Sequence, residues 1–259
     1  MSSLPAFLAI VSALFLALIA CFMIGRYLGG RRKADEASAS NVGVSAIDGA
    51  VFGLMGLLIA FTFSGAALRF DHRRDLIVEE ANAIGTAYLR LDLMPPAEQR
   101  ELRQDFRDYV DARLSFYENL SVDRTKVQQD TQRFETLQTA IWKEAIGGCA
   151  EVNSPATTQL VLSSLNEMFD VTTKRSIAIE THPPVMIYMV LGILLLGSAL
   201  LAGYEMAGAG AFSVLHMLVY AMILAIVSYL ILDLEFPRLG IIRIDAVDHA
   251  LVHVRQSMK

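Results

Sequence analysis

Cysteine is almost missing from this chain: Cys21 and Cys149 are the only two. The first sits inside a long apolar run and the second in a charged stretch, so no disulfide framework is implied. Equally absent are the pairings that chemistry on a substrate needs. No Ser/His/Asp set, Cys/His pair, phosphate-binding loop or paired-carboxylate motif is present. With no nucleophile, base or cofactor cradle to name, an enzyme is not expected and no cofactor is called for. The charged middle, residues 69–182, lacks clustered Lys/Arg too, which argues against a nucleic-acid surface. The long apolar runs hold almost no ionisable groups. Asp48 and Glu205 lie near their short-loop ends, His216 near the start of the last run and Asp233 at its exit. Pumps and proton-coupled carriers place acids or histidines deep in the membrane, so their scarcity counts against both.

What is present is hydrophobicity, organised in four runs: Leu4–Leu28, Val44–Leu68, Val185–Tyr204 and Ala211–Leu232. A membrane span needs about 20 mostly apolar residues at 1.5 Å each, and its backbone polar groups must be satisfied within the segment. All four are therefore predicted to be transmembrane helices. The expected fold class is an all-α membrane protein, with two helix pairs flanking a helical soluble domain. The boundaries are 1–68 for the first pair, 69–182 for the soluble domain, 183–234 for the second pair and 235–259 for a tail helix. Leu18-Ile19-Ala20-Cys21 has the look of a lipoprotein cleavage box. A basic segment before it is missing, though, and apolar residues continue past it, so an uncleaved anchor is expected.

The whole net charge of −5 belongs to residues 69–182, as suits the mixed-charge surface of a soluble helical domain. An even number of spans puts this domain and both termini on one side. Arg69, Arg73, Arg74, Lys174, Arg175, Arg238 and Arg243 near span ends outnumber Arg26, Arg31, Arg32 and Lys33 in the first short loop. The positive-inside rule then places the domain in the cytoplasm. The second span continues without a breaker through Arg69–Leu93 until Pro95-Pro96. A helix follows with Leu102, Phe106, Tyr109, Arg113 and Tyr117 on one side. Another runs from Asp123 to Ile146, ended by Gly147-Gly148. Ser154-Pro155 opens a third, whose apolar face is Leu160, Val161, Leu165, Met168 and Phe169. His182-Pro183-Pro184 breaks the chain before the third span, and Ala207–Gly210 forces a tight hairpin between the last two.

The second span carries the most unusual pattern. Ser45, Gly49, Gly53, Gly56, Ala60, Ser64 and Ala67 recur at helical steps as one stripe of small residues, which permits close helix packing in lipid. The same stripe also suits a helix that lines a pore or surrounds a symmetry axis. Phe52, Met55, Ile59 and Phe63 recur on another face and suit a ring that gates by dewetting. Just beyond, Arg69 and Arg73 fit either a pore mouth that concentrates anions or lipid-headgroup anchors. Asp71, Asp75, Asp233 and Glu235 are weak candidates for a divalent cation, with solvated charges or salt bridges the expected role. Asp245, His249 and His253 fall four apart in the tail. A docked surface helix capped by Asp245 is expected there, rather than a metal site.

Three stretches carry a resemblance. Gly53-Leu54-Met55-Gly56-Leu57-Leu58-Ile59-Ala60-Phe61 leads to Arg69-Phe70-Asp71-His72-Arg73-Arg74, and Glu79-Glu80-Ala81-Asn82-Ala83-Ile84-Gly85-Thr86-Ala87-Tyr88-Leu89-Arg90 follows. After the fourth span comes Asp233-Leu234-Glu235-Phe236-Pro237-Arg238-Leu239-Gly240. Together they resemble the bacterial bestrophin-like domain family over nearly the whole chain. Glu235 and Phe236 depart from the family's more frequent Asp-Leu-Asp-Arg-Pro. The resemblance implies kinship with bestrophins, which are pentameric chloride channels with four spans and a pore lined by the second. It implies a multi-pass protein of the bacterial inner membrane, in contact with lipid, homo-oligomeric and conducting small ions, anions by preference. Gly49, Phe52, Gly53, Met55, Gly56, Ile59, Ala60 and Phe63 are then the pore-lining candidates. No match to a bestrophin calcium clasp is visible. The competing expectation is a non-conducting scaffold whose helical domain binds a cytosolic partner.

Overall fold

The computed structural model describes residues 4–35, 42–120, 122–207, 213–244 and 248–258. The described residues form helices α1 (Leu4–Asp35), α2 (Val42–Arg90), α3 (Pro96–Asn119), α4 (Arg124–Val152), α5 (Pro155–Glu180), α6 (Val185–Met206), α7 (Val214–Glu235) and α8 (His249–Ser257). A 3-10 turn at Leu91–Leu93 follows α2. No strand occurs among the described residues. Four helices are long and apolar enough to cross a membrane. Leu16, Ile24, Leu54, Leu57, Ile193, Leu215 and Ile226 on these spans are exposed. So much outward-facing hydrocarbon is unfavourable in water and fits a lipid surround.

The chain divides into two compact units. One comprises Ser2–Leu68 and His182–Ile241. Here α1 packs along α6 and also against α7, over a core of Leu18, Met55, Ala66, Leu191, Leu195, Ala199, Ala221, Leu224 and Ile231. The α1–α6 approach is close because both sides lack a side chain. A Cβ added at Gly25 would overlap the Leu200 carbonyl, and one at Gly203 would overlap that of Phe22. The fourth span begins at Val214, because the Ser213 hydroxyl accepts from the His216 amide at 3.4 Å and caps the helix. Residues 208–212, which include most of the expected tight turn, lie outside the described residues.

The helical unit comprises Arg69–Thr181 and the residues from Ile242 onward. Its core joins Ile84, Leu91, Leu102, Phe106, Tyr109, Ile141, Leu165 and Met168, all fully buried. Burying each such side chain contributes about 1.5–3 kcal/mol. Trp142 of α4 meets Phe169 of α5 with ring centroids 6.3 Å apart. Leu160 departs from the expected apolar face and is 46% exposed.

Pro95-Pro96 ends the long second helix as predicted. Met94 is extended (φ −90°, ψ 160°), as a residue before proline prefers, and Pro96 opens α3. The predicted stop at Gly147-Gly148 is corrected: α4 runs through both glycines. It ends at Asn153, which is left-handed (φ 47°, ψ 38°) and donates its amide to Cys149 O at 3.3 Å. Gly148 instead makes room for the Met94 methyl, which an added Cβ would overlap. Asp123 caps α4 by accepting from the Thr125 and Lys126 amides at 2.9 and 3.2 Å. Ser154 caps α5 as expected, accepting from the Thr157 amide at 3.3 Å.

Candidate functional site

The two faces of α2 divide the pore-lining candidates. Met55 is buried in the membrane unit's own core, with Phe52 and Ile59 packed against it. Thr62 and Ala66 continue that buried face. Gly49, Gly53, Gly56, Ala60 and Phe63 are exposed. A Cβ added at Gly49, Gly53 or Gly56 would meet no atom within 4 Å. Gly49, Gly53 and Gly56 are therefore not used to pack α2 against the described residues of its own chain. The glycines that do bring helices together, Gly25 and Gly29 on α1 and Gly203 on α6, were missed by sequence reasoning, although Gly25 and Gly29 stand one helical turn apart.

Arg69 is half-buried and Arg73 buried. Arg73 donates from Nε to Ala178 O at 3.0 Å and from Nη2 to Thr181 O at 2.9 Å. These are carbonyls at the end of α5, where a cation is favoured by the helix dipole. Beyond it, Asp71 lies 3.5 Å from Arg74 in an exposed pair. Asp75, Val78, Glu79, Asn82 and Thr86 of α2 and Glu167 of α5 then line a groove of about 390 Å³.

Deep in the helical unit lies a charge cluster that sequence reasoning did not assemble. Glu80 of α2 and Arg113 of α3 have no exposed surface, and Arg175 of α5 is buried beside them. Arg113 Nε donates to Glu80 Oε1 at 2.7 Å, and Arg175 Nη1 donates to Glu80 Oε2. The Tyr117 hydroxyl accepts from Arg113 Nη2 and donates to Glu80 Oε2 at 3.2 Å. Arg175 Nη2 reaches Asp248, at the start of α8, at 2.5 Å. Aromatic faces complete the cage. The Arg113 guanidinium carbon lies 4.6 Å from the Phe134 ring centroid and 4.8 Å from that of Tyr117, and Arg175 lies 3.5 Å over Tyr117. These π-faces support the Arg113 guanidinium, whose Nη1 has no hydrogen-bond acceptor among the described residues.

Burial pushes the Glu80 carboxyl pKa upward, but the two guanidiniums outweigh it and hold the group below the usual carboxylate range. Burial likewise opposes the charge on Arg113, yet the Glu80 carboxylate raises its pKa further. Burial raises the Tyr109 and Tyr117 phenols. The cluster is thus ionised at Glu80 and Arg113 and neutral at its phenols. Arg113 was visible in sequence as one charge in an apolar stripe, and Glu80 as part of the run most specific to the resemblance. Arg175, counted among the charges near span ends, turns its guanidinium inward and is buried against Glu80.

Asp233 and Glu235, at the end of α7, are both buried. Asp233 Oδ2 accepts from the Ile241 amide at 3.1 Å, and only a glycine at 240 leaves room for its carboxylate. Glu235 lies 2.8 Å from His182 Nδ1, and the His182 ring lies over Phe236 with centroids 4.6 Å apart. The two acids hold the turn after α7 and the break before α6. No group of three His, Cys, Asp or Glu is placed to hold a metal among the described residues. Asp245 lies outside them, and His249 and His253 are exposed on α8. The position before α8 is taken by Asp248, whose side chain makes no cap hydrogen bond.

The architecture has solved counterparts. Three crystal structures of point variants of a bacterial bestrophin homologue from Klebsiella pneumoniae superpose on it. The first shares 14% identity over 99% of each chain with a TM-score of 0.68. A second shares 16% over 96% of this chain and 98% of that one at 0.63. A third shares 17% over 95% and 98% at 0.60. At such identities the likeness shows the fold. Among curated proteins, none matches the sequence. Residues 7–248, which hold the α2 stripe, the Glu80 cluster and the Asp233–Gly240 turn, match the bestrophin-like domain, and the chain belongs to that family.

Proposed function

We propose that this protein is a homo-oligomeric ion channel of the bacterial inner membrane, whose pore is lined by α2 from each copy. The observation that carries this reading is the free face of α2. Gly49, Gly53, Gly56 and Ala60 are exposed on a span whose opposite face is already used by its own subunit. Small residues on a free face admit close neighbours about an axis and leave width for ions. Five copies with the helical domain in the cytoplasm are the arrangement that the bestrophin resemblance implies. Phe63, exposed on α2, is the candidate constriction in this arrangement. Phe52, Met55 and Ile59 would shape the pore from behind, by fixing the rotation of α2.

The preference proposed from the family is for anions, with Arg69 near the mouth. One observation favours the opposite sign. Arg73 is engaged at the end of α5, while Asp75 and Glu167, with Glu79 paired to Lys174 at 3.4 Å, line the groove beside α2. Acid-lined entrances concentrate cations.

Purified protein in a planar bilayer with a potassium chloride gradient tests both. Currents that reverse toward the chloride equilibrium potential support anion conduction, and reversal toward that of potassium moves the proposal to cations. No current above the lipid background, across voltage and calcium concentration, overturns conduction and favours the scaffold reading.

A further inference from the structure

The C-terminal helix closes the Glu80 cluster electrically as well as sterically. Within the cluster, Arg113 and Arg175 carry two positive charges and Glu80 a single negative one. Asp248 supplies the second negative charge through Arg175 Nη2. At its other end α8 is fastened differently. Arg255 donates from Nε and Nη2 to the two carboxylate oxygens of Asp111 on α3, at 2.7 and 2.9 Å. Between the two fastenings Leu251 is fully buried in the helical core, with Ala250 and Val254 packed beside it. Only nine residues make up α8, too few to hold a helix without tertiary contacts.

We propose that α8 is a displaceable strap, latched by Asp248 on Arg175, and that the latch sets the order of the α2 segment carrying Glu80. When Asp248 is seated, Arg175 is shared between two carboxylates and Glu80 between two guanidiniums. When it leaves, the buried cluster holds one uncompensated positive charge. Such a charge is unfavourable away from water, so Arg175 turns outward and Glu80 loses one of its two anchors. The fastening at Arg255 has no such reach, because Asp111 touches neither Glu80 nor Arg113 in the cluster's hydrogen bonds. The regulatory consequence, that the strap tunes conduction through α2, rests on the pore reading above. The latch itself does not.

Hydrogen–deuterium exchange on the full-length protein in lipid nanodiscs reads the latch without any current. In Asp248→Asn, amides of α8 and of residues 76–90 in α2 are expected to exchange at least about tenfold faster, while α4 is unchanged. Asp248→Glu, which keeps the charge, restores protection in α2. Arg255→Gln loosens α8 and leaves residues 76–90 as in the parent. The proposal is overturned if Asp248→Asn loosens α8 alone or nothing at all. It is equally overturned if Arg255→Gln loosens α2 as much as Asp248→Asn does, since mere loss of the helix would then explain both. A protein that passes this test yet conducts nothing keeps the latch and loses only the pore.

Discussion

Glu80 is the residue on which most of the helical unit's polar structure converges. Its two oxygens receive Arg113, Arg175 and Tyr117, each from a different direction. Replacing it with glutamine removes the charge that both guanidiniums face, and breaking a buried pair from one side costs about 3–5 kcal/mol. Glu80→Gln is expected to destabilise the helical unit by that order, read as a lowered unfolding temperature by circular dichroism in detergent. The pH dependence has a definite sign. Glu80 is held below its reference value of 4.5 in the folded state. Its contribution is therefore complete above that value and is lost as pH falls from there through the lower folded value. The parent should lose stability below about pH 4.5, and the variant should lose less of it over the same range. The parts of this cluster were legible singly: a glutamate in a family-specific run and an arginine among aromatics. Their convergence was not, because it joins positions 33 and 95 residues apart, and helical periodicity reports only on neighbours within one helix.

Among elements, the spans were legible because a lipid-facing helix must be apolar along about 20 residues, a signal no soluble segment in this chain matches. Proline stops and serine caps were legible because each acts on its own backbone. Glycine was read less well. Gly147-Gly148 resembles a helix end, but only Gly148 serves a close contact, and the helix stops at Asn153 instead. The α2 stripe resembles a packing seam, yet among the described residues the seam belongs to Gly25 and Gly29 on α1 and Gly203 on α6. Gly203→Ala pushes its methyl into the Phe22 carbonyl, and overpacking of this kind costs about 1–3 kcal/mol. The expected outcome is reduced thermal stability of the membrane unit in detergent. Gly53→Ala, whose methyl meets nothing in the chain, should leave that measurement unchanged.

For the whole molecule, that contrast separates folding from assembly. Gly56→Leu places a large side chain on the free face of α2, where one subunit has space for it. The subunit should fold as the parent does, while the size of the detergent-solubilised particle or its conductance changes. An unaltered particle and unaltered current would show that this face meets neither another copy nor an ion path. The contact between Trp142 and Phe169 has a use of its own at this scale. Trp142 is the single tryptophan of the chain, and it belongs to the helical unit. Its ultraviolet emission is therefore a built-in optical gauge of the α4–α5 junction, uncontaminated by indole light from the spans, and it can follow that junction in intact vesicles with no dye attached.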